Sequence, residues 1–262
     1  IHDTRNMGMV NTLAAIESGI TKVQSTLGGL GGCPFAPGAS GNTATEDLVY
    51  MLNAMGYEEN VNLFISHYDW KKSVLEVVDK YLYPDIEKAK VRTGRDKVIL
   101  IGHSLGGLLG RAYINYFSPN TVDKLIMIGT PNLGTVNAYY FWSGGKIPYS
   151  KVEENILYKG LKIGFGLYYR LFKGINEIHA LREKFPVAAD LLPSFGYGNY
   201  LFYEENGMNK EIPIENMSIS NGFLNSLDNN TIDSNKLYII SGKGVFTNKY
   251  FLVEKSAKEK LK

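Results

Sequence analysis

The chain reads as an α/β protein with a mainly parallel sheet, and three observations predict this. Val98–Ile101 is an unbroken aliphatic run of four, too short for a helix and typical of a strand buried on both faces. A glycine-flanked serine and a helical apolar stripe follow it directly. Asp123–Ile128 and Leu237–Ile240 are further strand-length apolar runs, and helical patterns lie between them, so the units are β-α-β and the pairing parallel.

Taken in order, Asn11–Ser18 has a helical pattern with Leu13, Ala14 and Ile16 and is closed by Gly19; Ile20–Thr26 reads as a strand. Gly28–Asn42 is a glycine- and proline-rich loop. Thr43–Gly56 reads as an amphipathic helix, with Thr43 and Glu46 spaced as a capping box and Leu48, Val49, Leu52 and Met55 on one side. Asn62–Ser66 reads as a strand. Val74–Glu87 is a helix in which Val74, Val77, Val78 and Leu82 recur at helical intervals up to an interruption at Pro84. The central strand follows, then a helix with Leu108, Leu109, Ala112, Tyr113 and Tyr116 on one stripe.

Between that strand and helix lies Gly102-His103-Ser104-Leu105-Gly106, a G-x-S-x-G pattern in the strand–turn–helix setting that a nucleophile elbow needs. A serine hydroxyl is a weak nucleophile and must project from a sharp turn toward a base. Glycines on both sides remove the Cβ atoms that would crowd such a turn. The helix behind it directs partial positive charge at Ser104, and the backbone N–H of Leu105 is the candidate oxyanion donor. The same glycine-rich turn could instead cradle a phosphate.

Twenty-eight basic against 26 acidic residues leave a formal charge of +2, so composition suggests no nucleic-acid partner. The hydrophobic content of 44% is enough for a core. Cys33 is the single cysteine, which excludes an internal disulfide and leans toward a reducing, cytoplasmic compartment. The given chain opens without a signal-peptide pattern and holds no apolar run of spanning length. The basic tail Lys255–Lys262 reads as a solvated end.

HDTR at His2–Arg5, the loop Gly28–Asn42 and ATEDLVYML at Ala44–Leu52 resemble the C-terminal part of hydroxymethylglutaryl-CoA lyase. That resemblance implies a TIM-barrel-derived βα fragment over residues 1–57. It further implies a divalent cation such as Mg bound by His2 and Asn42, with Cys33 at the active site. The chain departs from that family elsewhere: the first histidine of its H-x-H pair, its metal-binding aspartate and its catalytic arginine have no counterpart. Two ligands do not define a site for a hard cation that takes about six. The expectation is therefore an inherited loop without metal, and an inert Cys33 thiol.

YDWKKS, GHSLGG and IGTPNLGT, in that order, resemble α/β-hydrolase lipases of the lecithin:cholesterol acyltransferase-like and bacterial triacylglycerol lipase kind over about residues 60–251. The resemblance implies a hydrolase-type parallel sheet over residues 58–262 with a helical cap at about 139–203. It also implies a lipid or acyl-ester substrate and no cofactor. Leu157–Phe172 in the cap is apolar but interrupted by glycines. Its aromatic residues suit a core; exposed, they would make peripheral contact with lipid.

A Ser–acid–His order can be tested by counting. Of His2, His67, His103 and His179, only His179 follows Ser104, and Asp123 is the one aspartate between them. Asp123 begins its strand, whereas catalytic groups lie beyond carboxyl ends. Glu153, Glu154 and Glu177 carry no supporting motif. The lipase family would place its acid and histidine after Leu237–Ile240, and a second oxyanion donor after an early strand, where the lyase-like region stands. Three readings follow: a serine ester hydrolase with an incomplete triad, a non-catalytic lipase-like or chimeric module, and a metal-dependent lyase.

Overall fold

The computed structural model describes residues 8–17, 44–146, 153–228, 232–241 and 248–253. These form an α/β chain of two compact units. One holds the described residues within Ile1–Asp69, Val74–Asn132 and Asn230–Thr247, the other those within Trp70–Ser73, Leu133–Asn229 and Asn248–Lys262.

In the first unit, α1 (Gly8–Glu17) and α2 (Thr45–Ala54) lie in the lyase-like region. Leu52 and Leu63 are buried there with Met9, Met51 and Tyr57 packed against them, a small satellite core. The N-cap of α2 is Ala44, without a side-chain cap, so the helix starts later than a Thr43–Glu46 capping box would place it. Ile20–Thr26, Gly28–Asn42 and Thr43 lie outside the described residues, as do His2, Cys33 and Asn42.

Two expectations for the next stretch change. Asn62–Ser66 is not a strand: Asn60 turns the chain at φ 62°, and among the described residues the only pairing nearby is an isolated Glu59–Leu63 bridge. Apolar residues alone make no strand without a neighbouring edge to bond to. The helix from Val74 continues to Thr93, as α3 (Val74–Val77), a π turn (Val78–Leu82) and α4 (Tyr83–Thr93). Pro84 lacks an amide hydrogen, and its ring crowds the carbonyl four residues back; the wider π turn just before it makes room, so the helix carries on.

β1 (Val98–His103), α5 (Leu105–Tyr116) and β2 (Val122–Ile128) follow, and β5 (Leu237–Ile240) completes a sheet in the order β1-β2-β5. Both pairings are parallel, with His103 opposite Ile128 and Ile128 opposite Ile240. α5 packs on β1 and β2 through Leu108, Leu109, Ala112 and Tyr113, all buried. Tyr113 hydroxyl pairs with Thr121 Oγ1 at 2.9 Å, and its ring stacks on Phe117. Gly110 faces Leu125 so closely that a Cβ there would collide with the leucine's Cδ1.

The second unit contains α6 (Val136–Gly144), α7 (Ile156–Lys173), α8 (Glu177–Lys184), the short α9 (Val187–Asp190) and α10 (Gly222–Asp228). It also has a second sheet of β3 (Leu201–Glu205), β4 (Met208–Ile212) and β6 (Phe251–Val253) in the order β4-β3-β6, for which the sequence reading had no counterpart. Its core gathers Tyr139, Leu192, Tyr200, Leu201, Tyr203 and Ile212. Desolvation raises the Tyr200 phenol pKa.

Leu125→Ala should lower the stability of the folded chain by about 2–5 kcal/mol in urea unfolding. Adding Gly110→Ala, whose new methyl enters the space the leucine vacates, should recover part of that loss, whereas Gly110→Ala alone should destabilise.

Candidate active site

The site begins with a strand that ends abruptly. The amide of Ser104 still donates to Ile128 O at 2.9 Å, extending the β1–β2 ladder by one residue, and α5 starts at the next position. One residue must therefore absorb the whole reversal. Ser104 does so at φ 53°, ψ −119°, one of three described non-glycine residues with positive φ. Side chains adopt that conformation only at a cost of about 1–3 kcal/mol, met here by the surrounding packing.

The packing is visible at the glycines. A Cβ on Gly102 would collide with the Gly106 carbonyl and the Gly107 amide, so the start of the helix lies directly against the strand backbone. A Cβ on Gly107 would take the place of Thr130 Oγ1. Arg111 on α5 donates to Asn132 O at 3.0 Å and to Asn132 Oδ1 at 3.2 Å. The loop after β2 is thus held to α5 at two points. Arg111 and Thr130 were not singled out from the sequence, although an arginine inside an apolar helical stripe was a usable signal.

Ser104 is half-buried, and its hydroxyl does not cap α5 as serine at an N-cap usually does. The unusual dihedral pair leaves the Oγ unengaged by the helix amides. Leu105 supplies the first amide of a 12-residue helix, one of those without an intrahelical acceptor and at the positive end of the dipole. Gly129 N donates to Ile240 O at 2.8 Å, so the three strands finish level with one another. Ser104 stands at this carboxyl edge, where parallel sheets carry their chemistry.

The titratable candidates are scattered. His103 ends β1, half-buried, with its imidazole close to Gly129. Asp123, exposed, is the second residue of β2, at the opposite edge of the sheet from Ser104. His67 is exposed in a segment without regular structure, and His179 on α8 pairs with Glu183 at 3.3 Å in the second unit. Glu153 and Glu177 both approach Lys162, at 3.5 and 3.8 Å. Among the described residues no group of three His, Cys, Asp or Glu could hold a metal ion. A two-donor set of His2 and Asn42 does not fit the cation that the lyase resemblance implies.

Residues 39–177 match the family model of lecithin:cholesterol acyltransferase, more than half of the chain, and residues 1–67 match a model described as HMGL-like. Mitochondrial hydroxymethylglutaryl-CoA lyase of Mus musculus is 58% identical over 62 residues, which are 24% of this chain and 19% of that protein. The cytoplasmic 3-hydroxy-3-methylglutaryl-CoA lyase of Homo sapiens is 56% identical over 63 residues, 24% of this chain and 17% of that protein. The chain thus spans about a fifth of the length of the curated relatives it matches. Among solved structures, a chain of the Tle4–Tli4 complex aligns with a TM-score of 0.39 and 18% identity, covering 81% of this chain and 43% of that one.

Ser104→Gly should be more stable than Ser104→Ala by about 1 kcal/mol in urea unfolding, because only glycine relieves the positive φ. Gly102→Ala should cost more than about 3 kcal/mol, since its methyl meets backbone that no rotamer change can move.

Proposed function

Because the chain belongs to the lecithin:cholesterol acyltransferase family, we propose that it is a serine ester hydrolase of lipase type, with Ser104 as the nucleophile and lipid or acyl esters as substrates. On this reading the β1-β2-β5 sheet is the core of an α/β-hydrolase, residues from about 139 to 203 are its cap, and residues 1–57 are a TIM-barrel-derived remnant of a lyase. The observation that carries it is the backbone of Ser104: a left-handed residue between a parallel strand and a helix N-terminus, with a hydroxyl the helix does not use.

The chemistry is acyl transfer. The Ser104 hydroxyl gives its proton to a base as its oxygen bonds to the ester carbonyl, and the Leu105 N–H stabilises the oxyanion that forms. The carbon–oxygen bond to the alcohol then breaks, the alcohol leaves with the proton, and water releases the acid from the acyl-enzyme. Nothing here requires a metal or other cofactor. The base and the triad acid are not assigned to any residue of this chain, so turnover should be slow. A serine elbow without its base keeps about 10³–10⁴-fold catalysis over water from oxyanion and binding terms.

A second reading, a non-catalytic lipase-like module that binds acyl groups, is favoured by one fact: Asp123, the one aspartate between Ser104 and His179, stands at the opposite edge of the sheet from Ser104. Fluorophosphonate labelling separates the two. A folded sample should be labelled and Ser104→Ala should not; failure of both to label would leave the non-catalytic module. With Mg²⁺ and hydroxymethylglutaryl-CoA the chain should release no acetoacetate, because only His2 and Asn42 of the lyase ligand set are present. Acetoacetate above the no-protein control would restore the lyase reading.

A further inference from the structure

The chain from Ile128 to Asn132 leaves the carboxyl end of β2 and meets α5 at three successive points. The Ser104 amide donates to Ile128 O at 2.9 Å, Thr130 lies against Gly107, and Arg111 Nη1 donates to Asn132 O and Oδ1 at 3.0 and 3.2 Å. At about 100° per residue, positions 104, 107 and 111 fall within about 60° of one another around the helix, so one stripe carries all three contacts. Ser104 stands at one end of this seam and the Arg111 guanidinium at the other.

The middle of the seam is held at a cost. Gly107 offers Thr130 a hollow and no hydrogen bond: among the described residues the Thr130 hydroxyl is buried without a partner. An unpaired buried hydroxyl favours any movement that returns it to water, so the loop does not rest there of its own accord. Pro131, the next residue, has no amide hydrogen to add. Asn132 folds the loop back through its amide, which donates to Thr130 O at 2.9 Å, and the half-buried Arg111 then takes both oxygens of Asn132. Bonds from an ionised donor are the strong ones at this seam, and they offset the cost at Thr130.

The strained residue lies at the other end. Ser104 keeps its φ of 53° only while its surroundings restrain it, and the bond from its amide to Ile128 O is one of those restraints. Releasing Asn132 lets Thr130 leave Gly107, and Ile128 O shifts with it. The Ser104 amide then loses its fixed acceptor, and the Oγ loses its aim at an ester carbonyl. We propose that Arg111 is a positioning residue for the Ser104 nucleophile, acting through Asn132 and the loop after β2 without touching the substrate. This deepens the ester-hydrolase reading and rests on it.

The test is saturation kinetics of fluorophosphonate labelling on the full chain, which separates the maximal rate of bond formation from the half-saturating probe concentration. Arg111→Ala should lower the maximal rate about 10- to 100-fold and leave half-saturation unchanged, because a small misplacement far from the chemistry is felt at the reacting atoms. Guanidinium at about 10 mM, too dilute to denature, should restore part of that rate and leave the parent chain's rate unchanged, a response that a general loss of packing would not give. Arg111→Lys, which keeps a cationic donor, should fall only about 3-fold. Asn132→Ala keeps the main-chain acceptor and loses Oδ1; it should slow the parent about 3-fold and Arg111→Ala no further. These two milder variants keep the test decisive where Arg111→Ala fails to fold. An unchanged maximal rate in Asn132→Ala, a folded Arg111→Ala that guanidinium does not rescue, or a raised half-saturating concentration at unchanged maximal rate would overturn the proposal and leave the hydrolase reading standing. A parent chain that takes no label would overturn both.

Discussion

The first unit depends on the close backbone approach between the end of β1 and the start of α5. Gly102 has no room for a side chain because Gly106 and Gly107 occupy it, so the chain must turn within one residue. That residue is Ser104, and its positive φ is the consequence. The same approach settles what lies beside the turn. Gly107 admits Thr130, Gly110 admits Leu125, and α5 therefore seats flat on β1 and β2 with Arg111 within reach of the loop after β2. Strain at 104 is tolerated because the parallel ladder on one side and the helix on the other leave the backbone no alternative.

The second unit places its aromatic residues in two different ways, and the contrast bears on function. In the second unit Tyr139 and Tyr200 meet edge to face at 5.4 Å within a buried cluster, where desolvation raises both phenol pKa values. α7 belongs to the same unit and has comparable aromatic density, yet Tyr168 and Phe172, 5.2 Å apart, are half or more exposed. Side chains of one chemistry thus serve as core in one place and as surface in another. What distinguishes them is the neighbouring elements: β3 and its partners enclose Tyr200, whereas α7 is held along one side by Lys162 and contacts chiefly α8.

Much of the first unit was legible from residue pattern. Leu237–Ile240 has the expected bounds although three of its four residues are exposed, and β1 and β2 differ from their expected runs only at the ends, because short aliphatic runs suit strands of a parallel sheet. The elbow was legible because three glycines in six residues around a serine serve no purpose in an ordinary helix. Asn62–Ser66 misled: Leu63 is buried, but among the described residues the stretch takes part only in the isolated Glu59–Leu63 bridge. The helix read as Val74–Glu87 does pass Pro84, through a π turn, and ends later, at Thr93. The β4-β3-β6 sheet was missed: Met208–Ile212 is mostly exposed, and Phe251–Val253 is only three residues long.

By itself, then, the sequence determined the parallel β-α-β unit and the serine at its turn, through local pattern and glycine sterics, and the two regions through their resemblance to known families. Only the tertiary structure decided three further points. Ser104 keeps its hydroxyl away from the amides of α5, Arg111 and Thr130 join the helix to the neighbouring loop, and the apolar face of α7 is left uncovered. Each depends on which elements lie side by side, and periodicity along one segment holds no information about its neighbours.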